Sequence, residues 1–239
     1  DQCTPPRTEV AFGGQIGENN WLISPAQIYL KSSDWSGINN IYYSLDEMEW
    51  KTYDRPFFID ENGNHTISYY AEDIWGTKEH IHTETFAIDT HPPAVNIRYN
   101  ATKQKGWFTS PVEITCTGTD SDSGLHSMYY RIREKQSDYL EYTDPLCIHD
   151  DGMFTFSVFA NDYAGLYSDR NHYETLAIDQ QPPKTVILFS GNPSPGNQMK
   201  ITLHSEDTGI GVDAIWYSLN NQPYQSYTNP LLIDDAGNQ

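Results

Sequence analysis

The chain is poor in basic residues and has no long apolar run. Of its 239 residues, 14 are Lys or Arg and 33 are Asp or Glu, which gives a formal net charge of −19. Such a polyanion repels a phosphate backbone, so we expect no nucleic-acid partner. No apolar run approaches the roughly 18 residues that a membrane-spanning helix needs. We therefore expect no membrane insertion in this segment.

Motifs that carry catalysis are also missing from the sequence. There is no Gly-x-Ser-x-Gly nucleophile elbow, no phosphate-binding glycine loop and no His-Glu-x-x-His metal motif. Aspartates are abundant, but they recur at a fixed spacing, whereas a catalytic pair should occur once. We expect that this segment is not an enzyme.

What the sequence does contain is an internal repeat. Pairs of prolines begin at Pro5, Pro92 and Pro182, about 90 residues apart. Between the pairs, the same segments recur in the same order: 41–46 with 128–132 and 215–220; 53–59 with 142–148 and 227–233; 65–73 with 154–162. We name the first repeat (1–91), the second repeat (92–181) and the third repeat (182–239), and expect each to be one domain.

Each repeat has the alternation of β-strands. Ala26, Ile28 and Leu30 alternate with polar neighbours, which places them on one face of a half-buried strand. About seven such strands with regular turns in some 90 residues predict an antiparallel two-sheet sandwich. We therefore predict an all-β chain of tandem immunoglobulin-like sandwiches.

The third repeat lacks the equivalents of 65–73 and 86–89. We expect it to be a truncated copy without its last two strands, within a longer array. The alternative is that a strand from another subunit completes its sheet.

Several motifs point to a family. They are Trp-x-x-Ser-Pro (21–25), Tyr-Tyr-Ser-Leu-Asp (42–46), His-Thr-Ile-Ser-Tyr-Tyr-Ala-x-Asp (65–73) and Ile-Asp-x-x-Pro-Pro (88–93). This pattern resembles the immunoglobulin-like repeats of bacterial and archaeal surface proteins. The resemblance implies an extracellular or cell-surface location and a role in stalks, adhesins or accessory modules. Its implied partners are other repeats of the same protein, neighbouring surface proteins or glycans.

Recurrent aspartates are the main candidate site. In an immunoglobulin-type sandwich, the loops after the second and sixth strands lie at the pole where the chain enters, so the acids there should meet the linker acids. Converging carboxylates favour Ca²⁺, and the ligands expected at the joint of the first and second repeats are Asp89, Asp120, Asp122 and Asp162. The equivalent acids elsewhere are Asp34, Asp73, Asp179 and Asp207. The alternative is that each aspartate only caps its own turn.

Other candidates are cysteines, sequons and tryptophans. Cys116 and Cys147 replace apolar residues of the other repeats, which predicts a disulfide between them; two buried thiols are the alternative. Asn64 and Asn100 begin glycosylation sequons in predicted turns. Trp35 and Trp75 do not recur, and we expect them to form a ligand patch at one pole of the first repeat, able to stack on sugar rings.

Together these features predict an extracellular stalk or adhesion segment of a larger surface or secreted glycoprotein, with joints that Ca²⁺ makes rigid. One alternative is a carbohydrate-binding accessory module of a secreted hydrolase. Another is a filament subunit that is completed by strand exchange.

Overall fold

The computed structural model describes residues 4–191 and 198–234, and these residues are almost entirely β-strand and turn. None of their helices is long and apolar enough to cross a membrane. The chain divides into two compact units. The first unit comprises residues 1–97, 116–144 and 157–173, and the second comprises residues 98–115, 145–156 and 174–239.

The first repeat lies entirely in the first unit. Its strands are β1 (Arg7–Gly13), β2 (Trp21–Leu22), β3 (Ala26–Ser33), β4 (Ile38–Leu45), β5 (Lys51–Thr52), β6 (Phe57–Ile59), β7 (Gly63–Asp73) and β8 (His82–Ile88). One sheet has the order β1-β3-β6 and the other β2-β8-β7-β4-β5. The pairs are antiparallel, except that β2 runs parallel to β8. This strand order is that of an immunoglobulin-type sandwich.

Alternation along the strands builds the core of the first repeat. On β7, the side chains of Ile67, Tyr69 and Ala71 are buried, while their neighbours along the strand are more exposed. Ile67 and Tyr69 belong to the same core as Ala26, Ile28 and Leu30 of β3, the residues that the sequence pattern placed on one strand face. Burial of this apolar area, at roughly 25 cal/mol per Å², is the main force that holds the two sheets together.

The second repeat has the same strand plan. Its strands are β9 (Ala94–Tyr99), β10 (Lys103–Gln104), β11 (Trp107–Phe108), β12 (Val112–Thr119), β13 (Leu125–Ile132), β14 (Leu140–Glu141), β15 (Leu146–Ile148), β16 (Gly152–Asp162) and β17 (Glu174–Ile178). The sheet orders are β15-β12-β9 and β10-β11-β17-β16-β13-β14, again with a parallel contact between β11 and β17. In the second unit, the buried apolar side chains include Phe108, Ile114, Phe156 and Leu176.

The third repeat has a more exposed apolar surface. Its strands are β18 (Lys184–Ser190), β19 (Gln198–Glu206), β20 (Trp216–Tyr217), β21 (Gln225–Ser226) and β22 (Leu231–Asp234). Ile187 and Phe189 of β18 are 56% and 64% exposed. In the register of the first repeat, the corresponding positions Val10 and Phe12 pack against the core. Strands equivalent to β7 and β8 would lie beyond the described residues.

The predicted fold class, all-β with tandem immunoglobulin-like sandwiches, is confirmed. Each sheet in the described ranges takes its strands from one repeat. The two compact units, however, divide the second repeat between them. The domain boundaries at 91/92 and 181/182 therefore stay a prediction.

One buried polar side chain of the first repeat, His65, has a raised pKa. His65 of β7 lies inside the sandwich, with Nδ1 2.8 Å from Asp46 Oδ2 and Nε2 2.8 Å from the carbonyl oxygen of Glu61. Burial lowers the pKa of the ring, but the hydrogen bonds to Asp46 and Glu61 outweigh burial and raise the pKa above its usual value. The equivalent residue of the second repeat is Phe154.

This arrangement predicts how the stability of the chain changes with pH. The folded state binds the His65 proton more tightly than the unfolded state, whose pKa is about 6.5. The stabilisation is therefore complete below that value and is lost as the pH rises through the folded-state pKa. We expect His65→Phe to remove this component from the pH profile of urea unfolding, and Asp46→Asn to weaken it. Parallel profiles for the wild type and both variants would contradict the assignment.

Candidate functional site

The linker aspartates are held at the exit of the last strand of each complete repeat. Asp89 directly follows β8, and its backbone N–H donates to the carbonyl oxygen of Leu22 at 2.8 Å. Asp179 directly follows β17, and its N–H donates to the carbonyl oxygen of Phe108 at 2.9 Å. In both cases, the parallel strand pair extends one residue into the linker. The carboxylates therefore start from the same backbone position at both joints.

Each linker carboxylate reaches a loop of the following repeat. Asp89 Oδ2 accepts a hydrogen bond from the backbone N–H of Ser123 at 3.1 Å. Asp179 Oδ2 accepts one from the backbone N–H of Ile210 at 2.8 Å. The approach of Asp179 needs a glycine beside it, since a Cβ on Gly209 would lie 2.2 Å from Asp179 Cγ. At both joints, the linker carboxylate therefore accepts an N–H from the equivalent position of the following repeat.

At the joint between the first and second repeats, three carboxylates converge. One carboxylate oxygen from each of Asp89, Asp120 and Asp162 lies within 4.8 Å of the other two. Asp120 follows β12, and Asp162 ends β16. Asp89 and Asp162 are fully buried, while Asp120 is half-buried. The structure thus brings together three of the four acids that the sequence predicted for this joint.

Turn capping, the alternative interpretation, is also observed, and it uses one oxygen of each carboxylate. Asp120 Oδ1 accepts from the N–H groups of Asp122 and Gly124 at 3.1 and 2.7 Å. Asp162 Oδ1 accepts from the N–H of Leu166 at 2.8 Å. The same holds in the third repeat, where Asp207 Oδ1 accepts from two backbone N–H groups. Capping therefore explains the Oδ1 atoms.

It does not explain the second oxygen of Asp162. Asp162 Oδ2 is buried and has no hydrogen-bond partner in the described part of the chain. Burial raises the pKa of this carboxyl, and the nearby charges of Asp89 and Asp120 raise it further, although the N–H of Leu166 opposes them. A buried acceptor without a partner is costly, and native structures rarely leave one.

The fourth predicted acid, Asp122, does not join the cluster. Its Oδ2 accepts from Asn62 Nδ2 at 2.7 Å and lies 3.0 Å from His91 Nδ1. Burial raises the pKa of Asp122, but the hydrogen bonds with Asn62 and His91 outweigh it and lower the pKa. Asp122 instead ties a turn of the first repeat and the linker to the second repeat. This contact could not be predicted from the repeat pattern, because Asn62 and His91 do not recur.

The corresponding pole of the first repeat is arranged differently. Asp34 Oδ1 accepts from the N–H of Ser36 at 2.8 Å, and Asp73 Oδ1 accepts from those of Trp75 and Thr77. The other oxygen of Asp73 lies 3.5 Å from the Ser36 hydroxyl. Burial raises the pKa of Asp73, but the hydrogen bonds from Thr77 and Trp75 lower it more, so the net pKa is lowered. Asp73 and Asp162 thus hold equivalent positions, but the pKa of Asp73 is lowered and that of Asp162 is raised.

A second contact at the first joint was not expected from the sequence. The loop before β2 touches the loop after β16: the N–H of Glu18 donates to the carbonyl oxygen of Ala164, and Asn19 Nδ2 to that of Tyr163, each at 2.8 Å. A Cβ on Gly17 would lie 2.3 Å from the carbonyl oxygen of Ala164. A glycine at position 17 is therefore needed for the two loops to meet.

Trp35 and Trp75 are exposed, at 65% and 62%, in neighbouring loops of the first repeat. These loops meet where the N–H of Ile74 donates to the carbonyl oxygen of Gly37.

The two asparagines of the predicted glycosylation sequons, Asn64 and Asn100, are exposed. Asn100 follows β9 at a bend, whereas Asn64 is the second residue of β7 and not part of a turn, which corrects its predicted setting.

The predicted disulfide is not formed. Cys116 is buried and Cys147 is exposed, and no disulfide joins them. The register explains why: Cys147 pairs with Glu113, three residues before Cys116 on β12. Side chains three residues apart on a strand point to opposite faces. Cys147 therefore lies on the same face as Glu113, and Cys116 lies on the other face. Cys3 lies outside the described residues.

This placement predicts different reactivity for the two thiols. In a Cys3→Ser background, we expect a small alkylating reagent to modify Cys147 in the native protein and Cys116 only after denaturation. Mass spectrometry of peptides after labelling with and without urea measures this difference. Protection of both thiols in the native state, followed by a mass consistent with a bridge, would contradict the structure.

The strand order and the two packed sheets define an immunoglobulin-like or fibronectin-III-like β-sandwich. No protein-family model matches the chain, and no curated protein matches it in sequence. Among solved structures, the chain is similar to the fibronectin(III)-like modules of Clostridium thermocellum CbhA, with 12% identity over 71% of this chain and 93% of that chain and a TM-score of 0.33. The fold assignment rests on the strand order, since a likeness at this score adds nothing to it.

Proposed function

We propose that this chain is a non-catalytic spacer of tandem sandwiches in a larger extracellular surface or secreted protein. The observation that carries the proposal is the linker aspartate at both joints, whose carboxylate accepts a backbone N–H from the next repeat. A flexible tether needs no such contact. A stalk does, because its modules must keep a fixed direction to hold a distal part away from a surface.

The chemistry of the first joint resists rotation. A buried carboxylate is costly unless it is hydrogen-bonded, so turning the linker would break the bonds of Asp89 and leave its charge unsatisfied. Pro92 and Pro93 restrict the backbone just after it, since the proline ring fixes φ near −65°. The contact between Glu18 and Ala164 adds a second point of attachment away from the linker.

The surface of the chain is consistent with an extracellular setting. The net charge of −19 favours solubility, and Asn64 and Asn100 are exposed for glycan attachment. The partners we propose are the neighbouring repeats of the same protein, with adjacent surface proteins or glycans as further contacts in adhesion.

The contact at Gly17 tests the rigidity of the joint. Spin labels on Met48→Cys and Leu140→Cys, both exposed positions, report the distance distribution between the first and second repeats. The background carries Cys3→Ser and Cys147→Ser and leaves Cys116 buried. We expect a narrow distribution that becomes broader in Gly17→Ala, because the added methyl group would overlap the carbonyl oxygen of Ala164.

The control is Gln15→Ala, which removes an exposed side chain from the same loop. We expect its distance distribution to match that of the parent. A distribution that is already broad in the parent chain would exclude a rigid joint, and with it the stalk.

Carbohydrate binding is a second candidate function, favoured by the exposure of Trp35 and Trp75 in neighbouring loops. Exposed indole rings stack on the apolar faces of sugars. If the chain is an accessory module of a secreted hydrolase, a glycan array should show binding that Trp35→Ala and Trp75→Ala each abolish. Trp50→Ala, which removes a tryptophan outside these loops, is the control. Absence of binding on the array would exclude this candidate.

A further inference from the structure

The unpartnered oxygen of Asp162 marks a position where something is needed to complete the first joint. Asp162 is fully buried, and its Oδ1 is used in capping, while its Oδ2 has no partner among the described residues. One carboxylate oxygen of Asp89 and one of Asp120 lie within 4.8 Å of a carboxylate oxygen of Asp162. None of the ion pairs described in the chain involves these three side chains.

We propose that Asp89, Asp120 and Asp162 together bind one divalent cation, and that this cation is Ca²⁺. A water molecule could donate to Asp162 Oδ2, but it would leave the mutual repulsion of three carboxylates in place. A cation answers both needs at once. The cation site itself does not depend on the proposed stalk function. Only its effect rests on that function, because the cation would fasten the linker to the second repeat and so stiffen the stalk.

The donor set selects the class of ion. All three side chains offer oxygen, which suits a hard cation, whereas zinc and copper prefer nitrogen and sulfur. Ca²⁺ accepts six to eight oxygens in variable geometry, while Mg²⁺ demands a near-ideal octahedron. Three carboxylates from three separate segments, with Asp120 open to solvent for water ligands, fit the less demanding ion. Sites of this kind in extracellular modules bind Ca²⁺ at about 0.1–1 mM.

The chain contains its own matched control. Asp73 holds the position of Asp162 in the first repeat, but its Oδ1 caps the turn and its Oδ2 faces the Ser36 hydroxyl. In the third repeat, Asp179 and Asp207 are present, and the equivalent of Asp162 would lie beyond the described residues. We therefore expect the full chain to bind one Ca²⁺, through Asp162 and not through Asp73.

The deciding variant is Asp162→Asn. Its Oδ1 can still accept from the N–H of Leu166, and its Nδ2 replaces the unpartnered Oδ2 with a donor that faces two carboxylates. In chelator, we expect the variant to melt at a higher temperature than the wild type. In about 10 mM CaCl₂, at least ten times the expected Kd, the order should reverse, because the wild type gains more stability from the bound ion than the variant does.

Isothermal titration of CaCl₂ into the full chain measures binding directly. We expect one site in the wild type and in Asp73→Asn, and affinity weakened by about tenfold or more in Asp162→Asn and Asp120→Asn, because each loses one carboxylate charge. Two variants are used so that a folding defect in one, visible by circular dichroism, does not decide the result. No heat and no change in melting temperature up to 10 mM CaCl₂ would overturn the proposal. Equal stabilisation by MgCl₂ would overturn the assignment of the ion.

The spin-label pair separates this proposal from the stalk. If Ca²⁺ binds to the wild type but the label distribution stays broad with and without it, the cation site is supported and the rigid joint is wrong. If the distribution is narrow in chelator and no Ca²⁺ binds, the rigid joint is supported and the cation site is wrong.

Discussion

The hydrogen bond from the Ser123 backbone to the Asp89 carboxylate is the constraint on which the first joint depends. It ties the residue that leaves one sandwich to a loop of the next. Because Asp89 is fully buried, the bond cannot be exchanged for water without opening the joint. The same bond recurs between Asp179 and Ile210, so this contact is made at both joints.

The observed turn capping and the ion binding that we propose do not compete. Capping uses the Oδ1 atoms of Asp120 and Asp162, and each of these carboxylates still brings one oxygen within 4.8 Å of the others in the cluster. The capped turns would therefore hold the carboxylates in place for the proposed cation. The pKa of Asp162 is raised by burial and by the charges of Asp89 and Asp120, whereas that of Asp73 is lowered by the hydrogen bonds that it accepts from Thr77 and Trp75.

The spacing of the repeats and the alternation of apolar and polar residues along the strands were enough to predict the sandwich and three of the acids at the first joint. Burial of Ile28 or Ile67 follows from strand periodicity, and the meeting of Asp89 with Asp120 and Asp162 follows from where an immunoglobulin-type fold puts its loops. Whether Cys116 and Cys147 are neighbours depends on the pairing register of β12 and β15, and an alignment of the repeats contains no information on that register. Asp122 was assigned to the wrong partners because its neighbours, Asn62 and His91, are particular to this joint. The need for glycine at position 17 could not be predicted from the sequence either, because it arises from contact with Ala164, which is distant along the chain.

We propose that the Asp89 carboxylate fixes the orientation of the first repeat relative to the second. Residual dipolar couplings of backbone amides measure this orientation directly. We predict that the amides of β3, β4 and β7 share one alignment tensor with those of β12, β13 and β16, and that Asp89→Ala gives the two groups of amides different tensors. Two different tensors in the unmodified chain, with Ca²⁺ present, would show that the joint is not rigid.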